Sequence, residues 1–187
     1  KTTIETKTAS SAAAAASTPV MPLHILYGSA TGNAEQISKD LAETYTTLVQ
    51  NPEATIYFPD VVCTELNAFK KLQLCDHWQV APPDMSKHGV LIVASTTGNG
   101  DAPENSDRFL RYLKKAVKQH HKEEKTAMAA ALSPPPLLFR HVACAVLALG
   151  DTNYDQYCQH GKLVHKYMQQ LGATMIRLVA CADEGTG

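Results

Sequence analysis

From residue 23 to residue 179, short apolar runs alternate with stretches in which apolar residues recur every three or four positions. Residues 23–27 (Leu-His-Ile-Leu-Tyr) read as a strand closed by Gly28. Ala34, Ile37, Leu41, Tyr45 and Leu48 follow at spacings of 3, 4, 4 and 3, the single apolar stripe of an amphipathic helix. Residues 54–58 (Ala-Thr-Ile-Tyr-Phe) predict a second strand, stopped by Pro59. The stretch 60–87 carries a short helical pattern around 65–72 and a Pro82-Pro83 loop, and its crossover is otherwise unresolved. Residues 89–94 are nearly all apolar, as in a strand covered on both faces of a parallel sheet. Phe109, Leu110, Leu113, Ala116 and Val117 mark a helix. Its start is signalled by Asp101 three residues before Glu104, a capping-box spacing, with Pro103 in the first turn. Residues 119–137, charged, then Ala-rich, then Pro134-Pro135-Pro136, predict an exposed low-complexity insertion, because a proline run cannot continue a helix. Residues 142–148 resume the buried-strand pattern. Leu163, Val164, Tyr167 and Leu171 mark a further helix, and 175–179 the last strand.

This alternation, joined by right-handed crossovers, defines an α/β fold with a doubly wound parallel sheet. Residues 1–21 are Ser/Thr/Ala-rich and without period, and read as a leader or linker. Residues 22–187 then form one domain. Lys1 in place of Met, and an end at Gly187 without a closing helix, make both ends look like boundaries of a longer protein.

Composition narrows the function classes. A formal net charge of −1 gives no global pull toward nucleic acid. No run approaches the roughly 18 apolar residues of a membrane span. The five cysteines form no CxxC pair and suit free thiols in a reducing compartment, the cytoplasm. His120-His121 is poor metal evidence, so no metal is expected.

The chemistry lies in loops after successive strands. Gly28-Ser29-Ala30-Thr31-Gly32-Asn33 opens the first helix, and Ser95-Thr96-Thr97-Gly98-Asn99-Gly100-Asp101 follows the third strand. Gly150-Asp151-Thr152-Asn153-Tyr154 follows the fourth, and Ala182-Asp183-Glu184-Gly185 the last. In open α/β sheets ligands sit beyond the carboxyl ends of the strands. One such loop alone would be an ordinary solvated turn; four at one edge point to a site. The first loop has no GK[ST] and no GxGxxG, which excludes a nucleoside-triphosphate loop and a dinucleotide fingerprint. Hydroxyls, amides and a helix N-terminus without a nearby cation suit a lone phosphomonoester; Lys39 lies beyond the first turn.

The run Tyr27 to Glu35 resembles the phosphate loop of the FMN domains of diflavin reductases. Ser95 to Asn105, Leu149 to Cys158 with Gly161-Lys162, and Ala182 to Glu184 resemble that family's other flavin segments, in wording nearest its methionine synthase reductase branch. The resemblance implies a flavodoxin-like sheet of order 2-1-3-4-5. It implies FMN on Ser29, Ala30, Thr31, Gly32, Asn33 and Ala34; on Ser95, Thr96, Thr97, Gly98, Asn99 and Gly100; on Leu149, Gly150, Asp151, Asn153, Tyr154, Tyr157 and Cys158; and beside Asp183. Tyr154 is expected to stack on the outer flavin face, and the Gly98 carbonyl to face flavin N5. Many relatives place an aromatic at the position of Thr97, so the inner face should be less covered. The implied role is single-electron relay from an FAD and NADPH module of the same chain to an acceptor protein, with no covalent catalytic residue. Asp101, Asp151, Asp155, Asp183 and Glu184 would form an acidic rim for a basic acceptor. A free-standing flavodoxin-type shuttle is the alternative. A receiver-like phosphate-binding domain would need acidic residues where Ser95-Thr96 and Gly28-Ser29 stand.

Overall fold

The computed structural model describes residues 21–83 and 86–183. The expected leader, apart from Met21, and Glu184 lie outside the described residues. Strands β1 (Leu23–Gly28), β2 (Val61–Glu65), β3 (His88–Ser95), β4 (Val142–Gly150), β5 (Thr174–Met175) and β6 (Ala180–Asp183) alternate with helices α1 (Asn33–Val49), α2 (Leu74–His77), α3 (Asp107–Ala129) and α4 (Gln159–Gln170). A 3₁₀ turn, Leu66–Phe69, follows β2. Every ladder is parallel, in the order β2-β1-β3-β4, and both β5 and β6 pair with β4. This is the expected doubly wound order 2-1-3-4-5, with the fifth position divided in two.

The centre of the sheet is dry because β3 and β4 carry almost no polar side chains. Val90, Ile92, Ala94, Val142, Cys144 and Val146 are buried in one cluster with Phe109 and Leu113 of α3 and Val164 and Met168 of α4. Trp78, wholly buried, packs edge-on against Phe139 with ring centroids 5.6 Å apart. Among the described residues no helix is long and apolar enough to cross a membrane, and none of their His, Cys, Asp or Glu side chains cluster as metal ligands.

Four sequence expectations need correction. Residues 54–58 are not a strand; Val61–Glu65 takes the edge position, opened by the Leu23 N–H donating to the Asp60 carbonyl at 2.9 Å. Tyr57 is 83% exposed, while Phe58 covers Gly89 so closely that a Cβ there would stand 2.4 Å from the ring. Phe58 thus covers β3, and β-branched Val61, Val62 and Thr64 form the ladder.

Second, α3 runs on to Ala129 and absorbs more than half of the expected insertion. Its Lys, Glu, Gln and Ala residues are strong helix formers, and only the segment after Ala131 (φ 53°) and before Phe139 is irregular. Third, Asp101 and Glu104 do not cap α3. The N-cap is Ser106, whose side chain caps no helix N–H, and the cap comes from afar. Asn67 Oδ1 accepts the N–H groups of Arg108 (3.0 Å) and Phe109 (3.2 Å), and Asn67 Nδ2 donates to the Glu104 carbonyl at 2.7 Å.

Fourth, 175–179 is not a continuous strand. Between the pairs Cys144↔Met175 and Leu147↔Ala180, Ala145 and Val146 face Ile176, Arg177, Leu178 and Val179. This bulge leaves Ile176 and Leu178 exposed. It also re-registers the chain so that Ala182 and Asp183 lie beside Leu149 and Gly150.

Candidate functional site

The strand ends of β1, β3, β4 and β6 open on one cavity of about 570 Å³. It falls where the strand order reverses, between β1 and β3, the usual ligand position in such sheets, and its size is that of a small-molecule site. From the first loop and α1, Ala30, Thr31, Asn33 and Ile37 line it. Ser95, Thr96, Thr97 and Gly98 come from the second loop. The rest of the wall runs from Leu149 through Asp151, Tyr154, Gln156 and Tyr157 to Cys158, with Ala182 and Asp183 beyond.

Each loop is held by a different device. In the first, Gly32 is left-handed (φ 98°) as the N-cap of α1, a conformation that favours glycine. Its N–H donates to Ser29 Oγ at 3.0 Å, and the Ser29 N–H donates to Asn105 Oδ1 at 2.9 Å. Ser29 Oγ accepts one bond and retains its own proton for another partner. Lys39 is bonded to Glu35 at 2.6 Å, so its ammonium is already matched.

The second loop closes on itself. Thr97 and Asp101 exchange backbone bonds, Thr97 N–H to Asp101 O at 3.0 Å and Asp101 N–H to Thr97 O at 2.8 Å. Gly98 (φ 47°) and Gly100 (φ 98°) make the reversal. In the third loop, Asp151 Oδ1 accepts from the Asn153 N–H and Nδ2, both at 2.8 Å. Asp183 reaches back to bind the Thr152 N–H at 3.1 Å and Thr152 Oγ1 at 2.7 Å. Tyr154 stands 62% exposed at the mouth.

Behind the loops lies a buried imidazole. His160 Nδ1 is 2.9 Å from the Ser95 carbonyl; a carbonyl only accepts, so Nδ1 carries the proton and Nε2, 3.5 Å from Ser106 Oγ, is the acceptor. The His160 N–H donates to Thr96 Oγ1 at 3.3 Å. Burial lowers the His160 pKa, partly opposed by its bond to the Ser95 carbonyl, so the ring is held neutral. Burial likewise pushes the Tyr157 hydroxyl up to about 12.

Of the residues expected on the cofactor, Ala30, Thr31, Asn33, Ser95, Thr96, Thr97, Gly98, Leu149, Gly150, Asp151, Tyr154, Tyr157, Cys158 and Asp183 meet at the cavity. Ser29, Gly32, Ala34, Asn99, Gly100 and Asn153 do not line it. Ala34 is fully buried beneath the first loop, and Gly100 gives the third loop room, since a Cβ there would be 2.9 Å from Gln156 Cβ. Ile37, Gln156 and Ala182 line the cavity unforeseen. Ile37 carried a signal, lying one turn beyond Asn33 on the same helix.

A doubly wound sheet with a cofactor-sized cleft at its switch point defines a class of α/β cofactor-binding proteins. The flavodoxin family model matches residues 25–187, and the chain belongs to that family. It is 31% identical over 160 residues to NADPH-dependent diflavin oxidoreductase 1 of Danio rerio, covering 86% of this chain and 21% of that protein. Against methionine synthase reductase of Bos taurus it is 33% identical over 98 residues, 52% of this chain and 12% of that protein. The chain thus spans about a fifth or less of these relatives. The fold matches oxidised flavodoxin 2 from Bacillus cereus with a TM-score of 0.56 at 18% identity, covering 88% of this chain and 85% of that one.

Proposed function

We propose that the chain binds FMN and passes electrons singly, as the flavin domain of an NADPH-dependent diflavin reductase. The observation that carries this reading is the cavity's donor set. Among the described residues its lining contains two carboxylates and no Lys, Arg or His, so of these residues hydroxyls, peptide N–H groups and the α1 N-terminus are what can hold an anion. That chemistry suits a phosphomonoester. Ile37, Leu149, Tyr154 and Tyr157 give the cavity apolar and aromatic walls of the kind a planar ring packs against. The donor set therefore fits FMN.

Bound FMN supplies the one- and two-electron chemistry; the chain's residues bind, orient and shield it. Thr31, Asn33 and the α1 N-terminus hold the phosphate end, and Thr97, Gly98 and Tyr154 flank the ring. Asp151 and Asp183 on the wall, with the exposed Asp101 and Asp155 nearby in sequence, disfavour added negative charge on the ring and make it a better donor. The same carboxylates form a docking rim for a basic acceptor, with an encounter rate that falls with salt. FAD and NADPH belong to a further module of the protein, a reading supported by the diflavin names of the relatives. The free thiols fit a cytoplasmic setting.

The test is direct. The purified protein is incubated with FMN, desalted and scanned in the visible, then titrated anaerobically with dithionite. A stoichiometric yellow complex that bleaches reversibly is expected; a protein that stays colourless rules the reading out.

A further inference from the structure

Cys158 lines the back of the cavity, and Cys181 stands on β6 next to Ala182, which lines it too. Cys158 precedes α4 in a left-handed conformation (φ 56°) and has no exposed surface. Its Sγ lies 3.4 Å from the Ala148 carbonyl oxygen and 3.7 Å from that of Ala182. Cys181 is the register partner of Ala148 across the β4–β6 ladder, and in-register neighbours of a parallel pair project to the same face. Ala148 projects toward α4, since a Cβ on Gly161 would stand 2.4 Å from the Ala148 Cβ. Cys181 therefore faces α4 as well, the side on which the Cys158 thiol lies against the carbonyls of Ala148 and Ala182, the ladder partner and the chain neighbour of Cys181. Both are free thiols, one buried and one exposed. A buried cysteine acting only as a small apolar filler needs no second sulfur beside it on an exposed strand.

We propose that Cys158 and Cys181 are a thiol–disulfide site, which takes a small-molecule disulfide of the glutathione type and closes to a reversible intrachain disulfide joining the start of α4 to β6. The accessible Cys181 reacts first. Its thiolate attacks one sulfur of the external disulfide, a protein–S–S–R bond forms, the R–S–S–R bond breaks, and one thiolate leaves. The Cys158 thiolate then attacks the Cys181 sulfur and expels the second thiolate. Two cysteine thiols are oxidised to one disulfide and the external disulfide is reduced to two thiols. The two protons given up by the cysteines pass through solvent to the leaving groups. The order follows from access: Cys158 is enclosed, and burial, reinforced by Cys181, pushes its thiol up to about 11. Closure ties together two walls of the cavity that the Thr152–Asp183 bonds already join.

Formation of the clasp does not depend on the cofactor reading, although its placement gives it access to that site. The protein is incubated with oxidised glutathione, the remaining thiols are blocked, and the peptides are mapped without reduction by mass spectrometry. A linked Cys158–Cys181 peptide, lost on treatment with dithiothreitol, is expected. Cys158→Ser should stop at a glutathione adduct on Cys181, and Cys181→Ser should carry no adduct on Cys158. A glutathione adduct that persists on Cys181 in the unsubstituted protein overturns the proposal. So does an adduct on Cys158 in Cys181→Ser, or a bond from Cys181 to another cysteine. The unsubstituted protein decides the matter even if a variant fails to fold. FMN absorbance is read in parallel: a linked peptide from protein that takes up no FMN keeps the clasp and removes the flavin assignment.

Discussion

The Ser29 N–H and Asn105 Oδ1 are bonded at 2.9 Å across 76 residues of sequence, fastening the first loop to the segment that leads into α3. Removing the acceptor leaves a part-buried N–H unmatched, at about 1–2 kcal/mol. Asn105→Ala is expected to lower thermal stability and to weaken FMN about five- to thirtyfold, since about 1.4 kcal/mol is tenfold. Asn105→Asp keeps the acceptor and adds a charge near the phosphate end. It should recover stability while binding FMN no better than the alanine variant. Thermal melts of the apoprotein and flavin fluorescence titrations check both; an alanine variant unchanged in each would show that the link is idle.

Gly28 and Gly32, four residues apart, are required for different reasons. A Cβ at Gly28 would meet Ser106 Cβ and Oγ at 2.7 Å and His160 Cε1 at 3.2 Å, so Gly28→Ala overpacks a closed interior, at about 1–3 kcal/mol. Gly32 has nothing within 4 Å of a Cβ but sits at φ 98°, where alanine costs about 1–2 kcal/mol of backbone strain. Adding Ser106→Gly should restore part of the stability lost in Gly28→Ala and none of that lost in Gly32→Ala. Urea denaturation of the single and double variants reads this; equal rescue of both would refute the distinction.

The sheet and the loops were legible because they rest on local rules. Apolar runs of strand length separated by stripes of helical period specify β1, α1, β3 and β4, and glycine, hydroxyl and amide residues cluster at the strand ends. What stayed hidden acts through space. Asn67 caps α3 from 41 residues upstream, and no spacing rule reaches that far. His160 belongs to no motif or apolar stripe of the sequence, yet folding buries it against Ser95 and Ser106. Residues 54–58 and 61–65 both carry β-branched residues, and the packing of Phe58 on Gly89 is a contact through space that no local pattern announces. The bulge after Met175 left no trace in the sequence, because Ile176, Leu178 and Val179 look apolar whether paired or not.

The Asn67 cap yields its own expectation. Asn67→Ala removes the acceptor for two N–H groups at the start of α3 and the donor to the Glu104 carbonyl. Loss of a side-chain cap costs about 1–2 kcal/mol, and the urea midpoint should fall accordingly. Asn67→Asp retains the acceptor beside a helix N-terminus, where negative charge is favoured, and should recover most of the loss. If the two variants denature alike, the cap is not what holds the helix start.

Tyr154 makes the opposite prediction, an effect on the ligand without one on the fold. Its side chain is largely exposed at the cavity mouth, so Tyr154→Ala should leave the melting temperature of the apoprotein unchanged. Stacking contributes about 0.5–1.5 kcal/mol beyond burial, and FMN should dissociate about two- to tenfold more readily. Tyr154→Phe should bind as the parent does. Fluorescence titration with FMN measures all three, and an alanine variant with undiminished affinity would place the ring elsewhere.

Acid should loosen the opposite end of the sheet. His24 opens β1 and lies edge-on to Trp78 at 6.2 Å, with its Nδ1 buried and unbonded. Burial, then the nearby His88 and His77, lowers its pKa from 6.5 to about 4. The unfolded chain therefore takes up a proton near pH 6.5 that the folded chain refuses until about pH 4. Stability is complete above the unfolded value and declines as pH falls through that window, by at most about 1.4 kcal/mol per pH unit for one proton. His160 and His165, also lowered by burial, act in the same direction. His24→Leu gives up no hydrogen bond at Nδ1 and removes one of these protons, so its stability should fall less between about pH 6.5 and pH 5 than that of the parent. Urea midpoints across that range decide it: parallel pH profiles for the two proteins would mean that the His24 ring is protonated in the folded state as readily as in the unfolded one.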